Sequence, residues 1–342
     1  MIRLYQSQDR SRWDDFVLRF PTSTFSHCSD WKSVIERSFG HQTYYWLDED
    51  SSGFVKGILP LVHIKSLLFG NFMVSLPYLN YGGICAGDMG THRALLDTAI
   101  DFARRKNVEH IELRYDHSVA VPLPSKTSKV AMRLELPGSS DDLWQGFDGK
   151  LRSQIRRPLK DGMSARIGKI DELDSFYTVF SHNMRDLGTP VYPKHFFGKI
   201  LQTFPDTTWI CTVYHEGIPV ASGFLVGFKH VVEITWASSL SRYKRSGPNM
   251  LLYWTCLKFA CEQGYRTFDF GRSTRDGGTY NFKKQWGCVP TQLYWYYWQR
   301  DPRPLPELNP GNHRYQLPIK IWQRLPVRLT NLIGPMIVRN IP

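Results

Sequence analysis

Three things are missing from this 342-residue chain, and each absence narrows what the chain does. It has no run of 18 apolar residues, so no helix is expected to span a membrane. Its first nine residues, Met1 to Asp9, lack the apolar core of a secretion signal. Its six cysteines (28, 85, 211, 256, 261 and 288) form no CxxC pair, and no histidines stand at ligand spacing beside them. Reduced, buried thiols are therefore expected, with no zinc site and a cytoplasmic setting. Aromatics make up 14% of the chain, too many for a disordered protein.

Charge is present in excess and unevenly placed. The net charge is +12. Residues 150–169 hold seven Lys/Arg and one acid, a net of +6, and residues 300–342 hold seven and two, a net of +5. The two stretches supply 6 + 5 = 11 of the 12 excess charges, which predicts two local anionic contacts.

The chain also repeats itself. Residues 94–113 and 251–270 align without a gap at an offset of 157. Leu95 meets Leu252, Phe102-Ala103 meets Phe259-Ala260, and Ile111-Glu-Leu113 meets Phe268-Asp-Phe270. Each copy reads as an amphipathic helix, a turn at Asn107 or Gly264, and a short strand. Tyr44 to Val62 and Trp209 to Val226 read as hairpins, turning at Ser51-Ser-Gly53 and His215-Glu-Gly217. The order helix, hairpin, helix, strand in both halves predicts two α/β domains with mixed sheets. The expected boundaries are 1–138, 139–298 and a basic amphipathic tail over 299–342.

The halves differ after the repeated strand. The second continues as Gly271-Arg-Ser-Thr-Arg-Asp-Gly-Gly278 and then Thr-Tyr-Asn-Phe-Lys-Lys-Gln-Trp-Gly287. This reads either as a flexible basic loop that brings backbone N–H groups and cations to an anion at a strand end, or as a solvated basic loop between two strands. The first half lacks it. Before its helix the second half has Ser241-Arg-Tyr-Lys-Arg-Ser-Gly-Pro-Asn249, a basic turn where a phosphate would meet free N–H groups, or a charged surface turn with Pro248 starting the helix. Leu143, Phe147, Leu151 and Ile155 form one stripe of a helix that Pro158 should stop or kink, with Lys150, Arg152, Arg156 and Arg157 off the stripe. Ser181 to Pro193 reads as a helix end running into a rigid loop, where His182, Arg185 and Asp186 could meet an acceptor. Ile319, Trp322, Leu325, Leu329, Leu332, Ile333, Met336 and Ile337, punctuated by Lys320, Arg324, Arg328 and Arg339, suit either an anionic membrane surface or packing on the protein itself.

Over roughly residues 1–298 these motifs resemble the Fem-type acyltransferases, which carry two tandem GNAT-like domains (the BioF2-like, FemAB-related branch found with exosortase, PEP-CTERM and exopolysaccharide loci). The resemblance rests on Asp269-Phe-Gly-Arg272, Gly278 to Gly287, Lys150 to Gly162, Leu187-Gly-Thr-Pro190 and Pro248 to Trp254. It implies acyl transfer to an amine of an envelope or exopolysaccharide precursor, either a small molecule or a lipid-diphosphate-linked glycan. The cosubstrate would be acyl-CoA or aminoacyl-tRNA, with no tightly bound cofactor and no metal. It puts Lys283 beside the transferred carbonyl, with Asp269, Asp276, Tyr280 or the substrate as base. Arg242, Tyr243, Arg245, Gly247, Asn249, Arg272 and Lys284 fall to the donor. Lys150, Arg152, Arg156, Arg157, Arg185, Tyr192 and Trp286 fall to the acceptor. Two departures stand out. No insertion between Asp141 and Trp298 is long enough for the helical arm of some tRNA-using Fem proteins, and Arg242-Tyr-Lys-Arg-Ser-Gly247 only approximates the GNAT signature R-x-x-G-x-G. A tRNA-dependent peptidoglycan-type enzyme, a non-catalytic scaffold and a tail held at the inner membrane face are the other readings of the same residues.

Overall fold

The computed structural model describes residues 1–66, 69–302, 304–305 and 313–341. Residues 303, 306–312 and 342 of the expected tail lie outside the described residues.

The chain begins with β1 (Ile2–Leu4), α1 (Arg10–Arg19), α2 (Trp31–Phe39), β2 (Gln42–Glu49), β3 (Val55–Ser66), β4 (Gly70–Val74), β5 (Cys85–Ala86), α3 (Met89–Arg105), β6 (His110–Tyr115) and β7 (Ser125–Lys126). It continues with β8 (Lys129–Glu135), α4 (Ser140–Gly146), α5 (Gly149–Lys160), β9 (Met163–Gly168), α6 (Leu173–Leu187), α7 (Lys194–Thr203), β10 (Thr208–His215), β11 (Ile218–Phe228), β12 (Val231–Ser239), α8 (Pro248–Glu262) and β13 (Thr267–Thr274). It closes with α9 (Gly278–Lys284), β14 (Val289–Gln292), β15 (Tyr294–Gln299), α10 (His313–Trp322) and α11 (Val327–Val338).

Two compact units result. The first takes Met1–Ala131, Thr291–Pro306 and Arg339–Pro342, and the second takes Met132–Pro290 and Glu307–Val338. The first sheet runs β1-β2-β3-β4-β6-β15-β7 with β5 on β3, and the second runs β14-β8-β13-β12-β11-β10-β9. The strand beside β6 thus comes from the far end of the chain, and the strand beside β13 comes from before residue 138. The expected boundaries place residues 132–138 with the first domain, 291–298 with the second and everything beyond 298 in a separate tail, whereas the units take them the other way round and divide the tail between them. Alternating strands carry no mark of the sheet they join, so this interleaving lies in the tertiary pairing alone.

Both hairpins form: β2 lies antiparallel to β3 with Tyr44 opposite Leu61, and β10 to β11 with Trp209 opposite Leu225. The turn residues Asn107 and Gly264, 157 apart, both take left-handed backbone (φ 55° and 76°). Each unit adds a strand that the repeat did not reveal. β4 runs parallel to β6, and β12 parallel to β13.

Four local expectations change. The stripe from Leu143 to Ile155 is buried, but it spans two helices, because Asp148 caps a new one through the N–H of Leu151. Pro158 does not stop α5, which runs two residues past it. The segment read as a flexible loop through Gly278 turns at Gly277 and then forms α9. Finally, α8 is less amphipathic than α3. Strands β10 and β11 cover one side of it and α4 and α5 another, so apolar residues pay on both faces.

Candidate active site

In the second unit β12 and β13 pair only from Val231 to Glu233 and from Thr267 to Asp269. Beyond this point β12 continues to Ser239, paired with β11, while β13 runs on to Thr274. The two parallel strands therefore part at Glu233 and Asp269, where backbone groups become available to a ligand.

Asp269 stands at that fork and is 1% exposed. One oxygen accepts the N–H of Gly271 (2.7 Å), and the other accepts Arg133 Nε (3.2 Å). Gly271 has φ +73°, a left-handed conformation that glycine takes at least cost. This bend presents the carbonyls of Gly271 and Arg272 to the same cation: Lys283 Nζ donates to both at 3.0 Å. An ammonium has three donors, so one N–H of Lys283 remains for a ligand.

Lys283 lies on α9 and is 7% exposed. Burial lowers its pKa to about 8, while the carboxylates of Asp269 and Glu233 oppose that fall. At neutral pH it is therefore charged, and it gives up its proton far more readily than a surface lysine. Tyr280 sits three residues earlier on the same helix and is also buried. Burial pushes the Cys288 and Cys256 thiols up, which leaves neither as a ready nucleophile. Among the described residues no group of three or more His, Cys, Asp or Glu side chains gathers as a metal would need.

The remaining predicted residues fall into three places. Arg272, Arg275, Asp276 and Lys284 are exposed around the turn between β13 and α9. Ser241–Ser246 forms a 3-10 turn that ends in left-handed Gly247 before α8. Arg242 and Arg245 are exposed on it, Tyr243 and Asn249 are half-buried, and Arg242 lies over the Tyr243 ring at 5.0 Å. Pro158, on the buried side of α5 with Leu151 and Ile155, approaches Gly247, so α5 adjoins this turn. Lys150, Arg156 and Arg157 are exposed on α5 and Arg152 is half-buried; Arg156 lies over Trp144 at 5.1 Å.

Two of the acceptor assignments meet obstacles. Trp286 is 1% exposed and packs against Phe147, Tyr253, Phe270 and Phe282, which puts it in the core rather than on an open surface. Arg185 is half-buried and engaged by Asp186 (2.7 Å) and the Leu325 carbonyl (3.1 Å). Tyr192 is half-buried against Phe180, with its carbonyl taken by Tyr177. His182 turns back to the Thr178 carbonyl of its own helix.

Sequence reading missed Arg133 and Glu233. Arg133 lies on β8, which had been assigned to the other domain. Glu233 lies on a strand that the repeat did not show. Alternation in Val231–Ser239 (apolar Val232, Ile234 and Trp236) was the signal that could have found that strand.

Residues 149–284 match the family model of the acetyltransferase (GNAT) domain. No curated protein matches the chain. Among solved structures, FemX is similar with a TM-score of 0.66 at 16% identity, over 86% of this chain and 97% of that one. The C-terminal domain (DUF2156) of a putative lysylphosphatidylglycerol synthetase from Agrobacterium fabrum gives 0.56 at 14%, over 85% and 92%. A tandem GNAT protein from the clavulanic acid biosynthesis pathway gives 0.54 at 11%, over 89% and 99%. The fold is thus a pair of tandem GNAT-like α/β units with mixed sheets.

Proposed function

We propose that this chain is an N-acyltransferase whose chemistry belongs to the second unit. The observation that carries this reading is Lys283, a buried ammonium held by two strand-end carbonyls where β12 and β13 part, with one donor left over. An amine nitrogen attacks the carbonyl carbon of an activated donor, and the carbonyl oxygen becomes an oxyanion that accepts the spare N–H of Lys283. Collapse of the intermediate expels the donor's thiolate or ribose hydroxyl, and the proton lost by the amine ends on that leaving group. A charged donor fixed in a water-poor site contributes a few kcal/mol to such a step.

Asp269 then acts by position rather than as the base. Both of its oxygens are engaged, and its grip on the Gly271 N–H sets the bend that aims the two carbonyls at Lys283. Tyr280, Asp276 and the acceptor itself remain the proton carriers in this scheme. The exposed Arg242, Arg245, Arg272 and Lys284 supply charge for the donor's phosphates, and Lys150, Arg152, Arg156 and Arg157 supply it for a diphosphate-bearing envelope or exopolysaccharide acceptor. The donor is acyl-CoA or aminoacyl-tRNA, the two used by the families this chain resembles.

Calorimetric titration of the full chain with acetyl-CoA, and separately with a charged tRNA mixture, tests the proposal. Saturable acetyl-CoA binding that Arg245→Ala weakens makes it a coenzyme A-dependent enzyme. Binding of charged tRNA alone makes it a Fem-type aminoacyltransferase. Silence with both removes either donor from the proposal.

A further inference from the structure

The C-terminal helices belong to neither sheet and leave a feature that transfer chemistry does not use. Helix α11 rests on α6, and Gly334 comes so near Val191 that an added Cβ would lie 2.9 Å from its nitrogen. Ile319 is pressed against Gly188, Gln323 donates to the Asp186 carbonyl (3.0 Å), and Arg185 holds the Leu325 carbonyl. These helices are therefore fastened to the second unit.

Their outer side is nonetheless apolar. At roughly 100° per residue, buried Thr330, Gly334 and Val338 share one side of α11, while Leu329, Leu332 and Met336 share the opposite one. Leu332 and Met336 are 71% and 69% exposed, and on α10 Leu317 and Ile321, one turn apart, are 68% and 54% exposed. A water-facing stripe of this kind marks a docking surface. Lys320, Arg324 and Arg328 are exposed beside it and have no ion-pair partner among the described residues. Residues 313–338 contain no Asp or Glu at all.

We propose that α10 and α11 form an interfacial element that seats the protein on an anionic lipid bilayer, apolar side chains in the acyl boundary and cations at the headgroups. The charge selects this occupant. A second copy of the chain would bring unrelieved cations against their own kind, whereas anionic headgroups neutralise them. No helix of the described residues is long and apolar enough to cross a membrane, so the element would lie on the surface. This inference stands apart from the transfer chemistry, since lipid binding needs no donor.

Full-length protein is sedimented with vesicles of phosphatidylcholine alone and of equal phosphatidylcholine and phosphatidylglycerol. Expected is binding to the anionic vesicles at least tenfold stronger than to the neutral ones, weakening as salt rises. Leu332→Glu with Met336→Glu should lower it at least tenfold, and Arg324→Glu with Arg328→Glu should erase the preference for phosphatidylglycerol. Circular dichroism melts check folding, and the second pair tests the proposal even where the first fails to fold. Failure of the wild-type chain to bind anionic vesicles overturns the proposal, as does equal binding by folded variants. A wild-type dimer in sedimentation velocity that Leu332→Glu dissociates, without vesicle binding, assigns the face to self-association instead and equally overturns it.

Discussion

The two units carry a buried carboxylate at the same place in the repeat, Glu112 on β6 and Asp269 on β13, and they treat it differently. In the first unit Arg114, two residues on, is 2% exposed and bonds Glu112 directly at 2.6 Å, while the Tyr297 hydroxyl takes the other oxygen at 2.7 Å. Burial pushes the Glu112 carboxyl up, but Arg114 and Tyr297 outweigh it, and the net lies below the usual range. The segment after β4 then packs alongside. Ser75 bonds both the Glu112 carbonyl and the Arg114 N–H, the Leu79 carbonyl accepts from Arg114, and Gly83 donates to the Arg114 carbonyl. Leu76 and Tyr78 take left-handed backbone to allow it (φ 61° and 72°). In the second unit the position of Arg114 is Gly271; Asp269 is paired instead by Arg133 from β8, and a second cation, Lys283, arrives on a separate helix with a donor to spare. A sealed ion pair contributes structure, whereas an unsealed cation at a strand fork is available for chemistry.

The comparison breaks most sharply on the two cations. Lys283→Ala should cut kcat/KM about 10²–10³-fold, roughly 2.7–4 kcal/mol, with the melting temperature little changed. Arg114→Ala should do the reverse: leaving Glu112 buried and unpaired costs about 3–5 kcal/mol of stability, and the surviving folded fraction should keep its kcat. Steady-state kinetics beside denaturant unfolding reads both, and an Arg114 variant with normal stability would dissolve the contrast.

Gly271→Ala probes the bend itself. Left-handed backbone costs a residue with a Cβ about 1–2 kcal/mol, and any relaxation moves the carbonyls that hold Lys283. A loss of kcat larger than the loss of stability is expected, and unfolding curves set against kcat values will show it.

The pH profile sharpens the assignment. Lys283 must be protonated to meet an oxyanion, so kcat/KM should fall as pH rises through about 8. Asp269 raises the lysine's pKa, so Asp269→Asn should move that falling limb to lower pH. A rate that climbs through pH 8 would recast Lys283 as the base. The smallest effect is expected on α5: Arg156→Ala with Arg157→Ala should raise the acceptor's KM several-fold at low salt and hardly at high salt, because exposed charges act through a screened field.

Much of this was legible beforehand because it is local. The helix, turn and strand at an offset of 157 are written in periodicity and in the left-handed positions Asn107 and Gly264. Lys283 stood out through its motif. What supports Lys283 did not: Arg133 reaches Asp269 from 136 positions away, and Glu233 faces it from a strand hidden between hairpin and helix. Arg185 and Trp286 carried the chemistry expected of contact residues, yet a docked C-terminal segment and an aromatic core had already claimed them. Side-chain type reports what a residue can bind, and only packing reports what it already holds.

Strand β15 ties the first sheet to the calendar of synthesis. Until Tyr294–Gln299 leaves the ribosome, β6 has one bare flank and β7 has no neighbour to pair with. At about 5–20 residues per second, the interval between making β7 and making β15 is on the order of 10–35 s. Through that time the nascent chain carries an open edge, the feature by which unfinished sheets recruit strangers. The older half of this molecule is therefore the last to be finished, and its yield in the cell should respond to whatever holds such edges apart in the meantime.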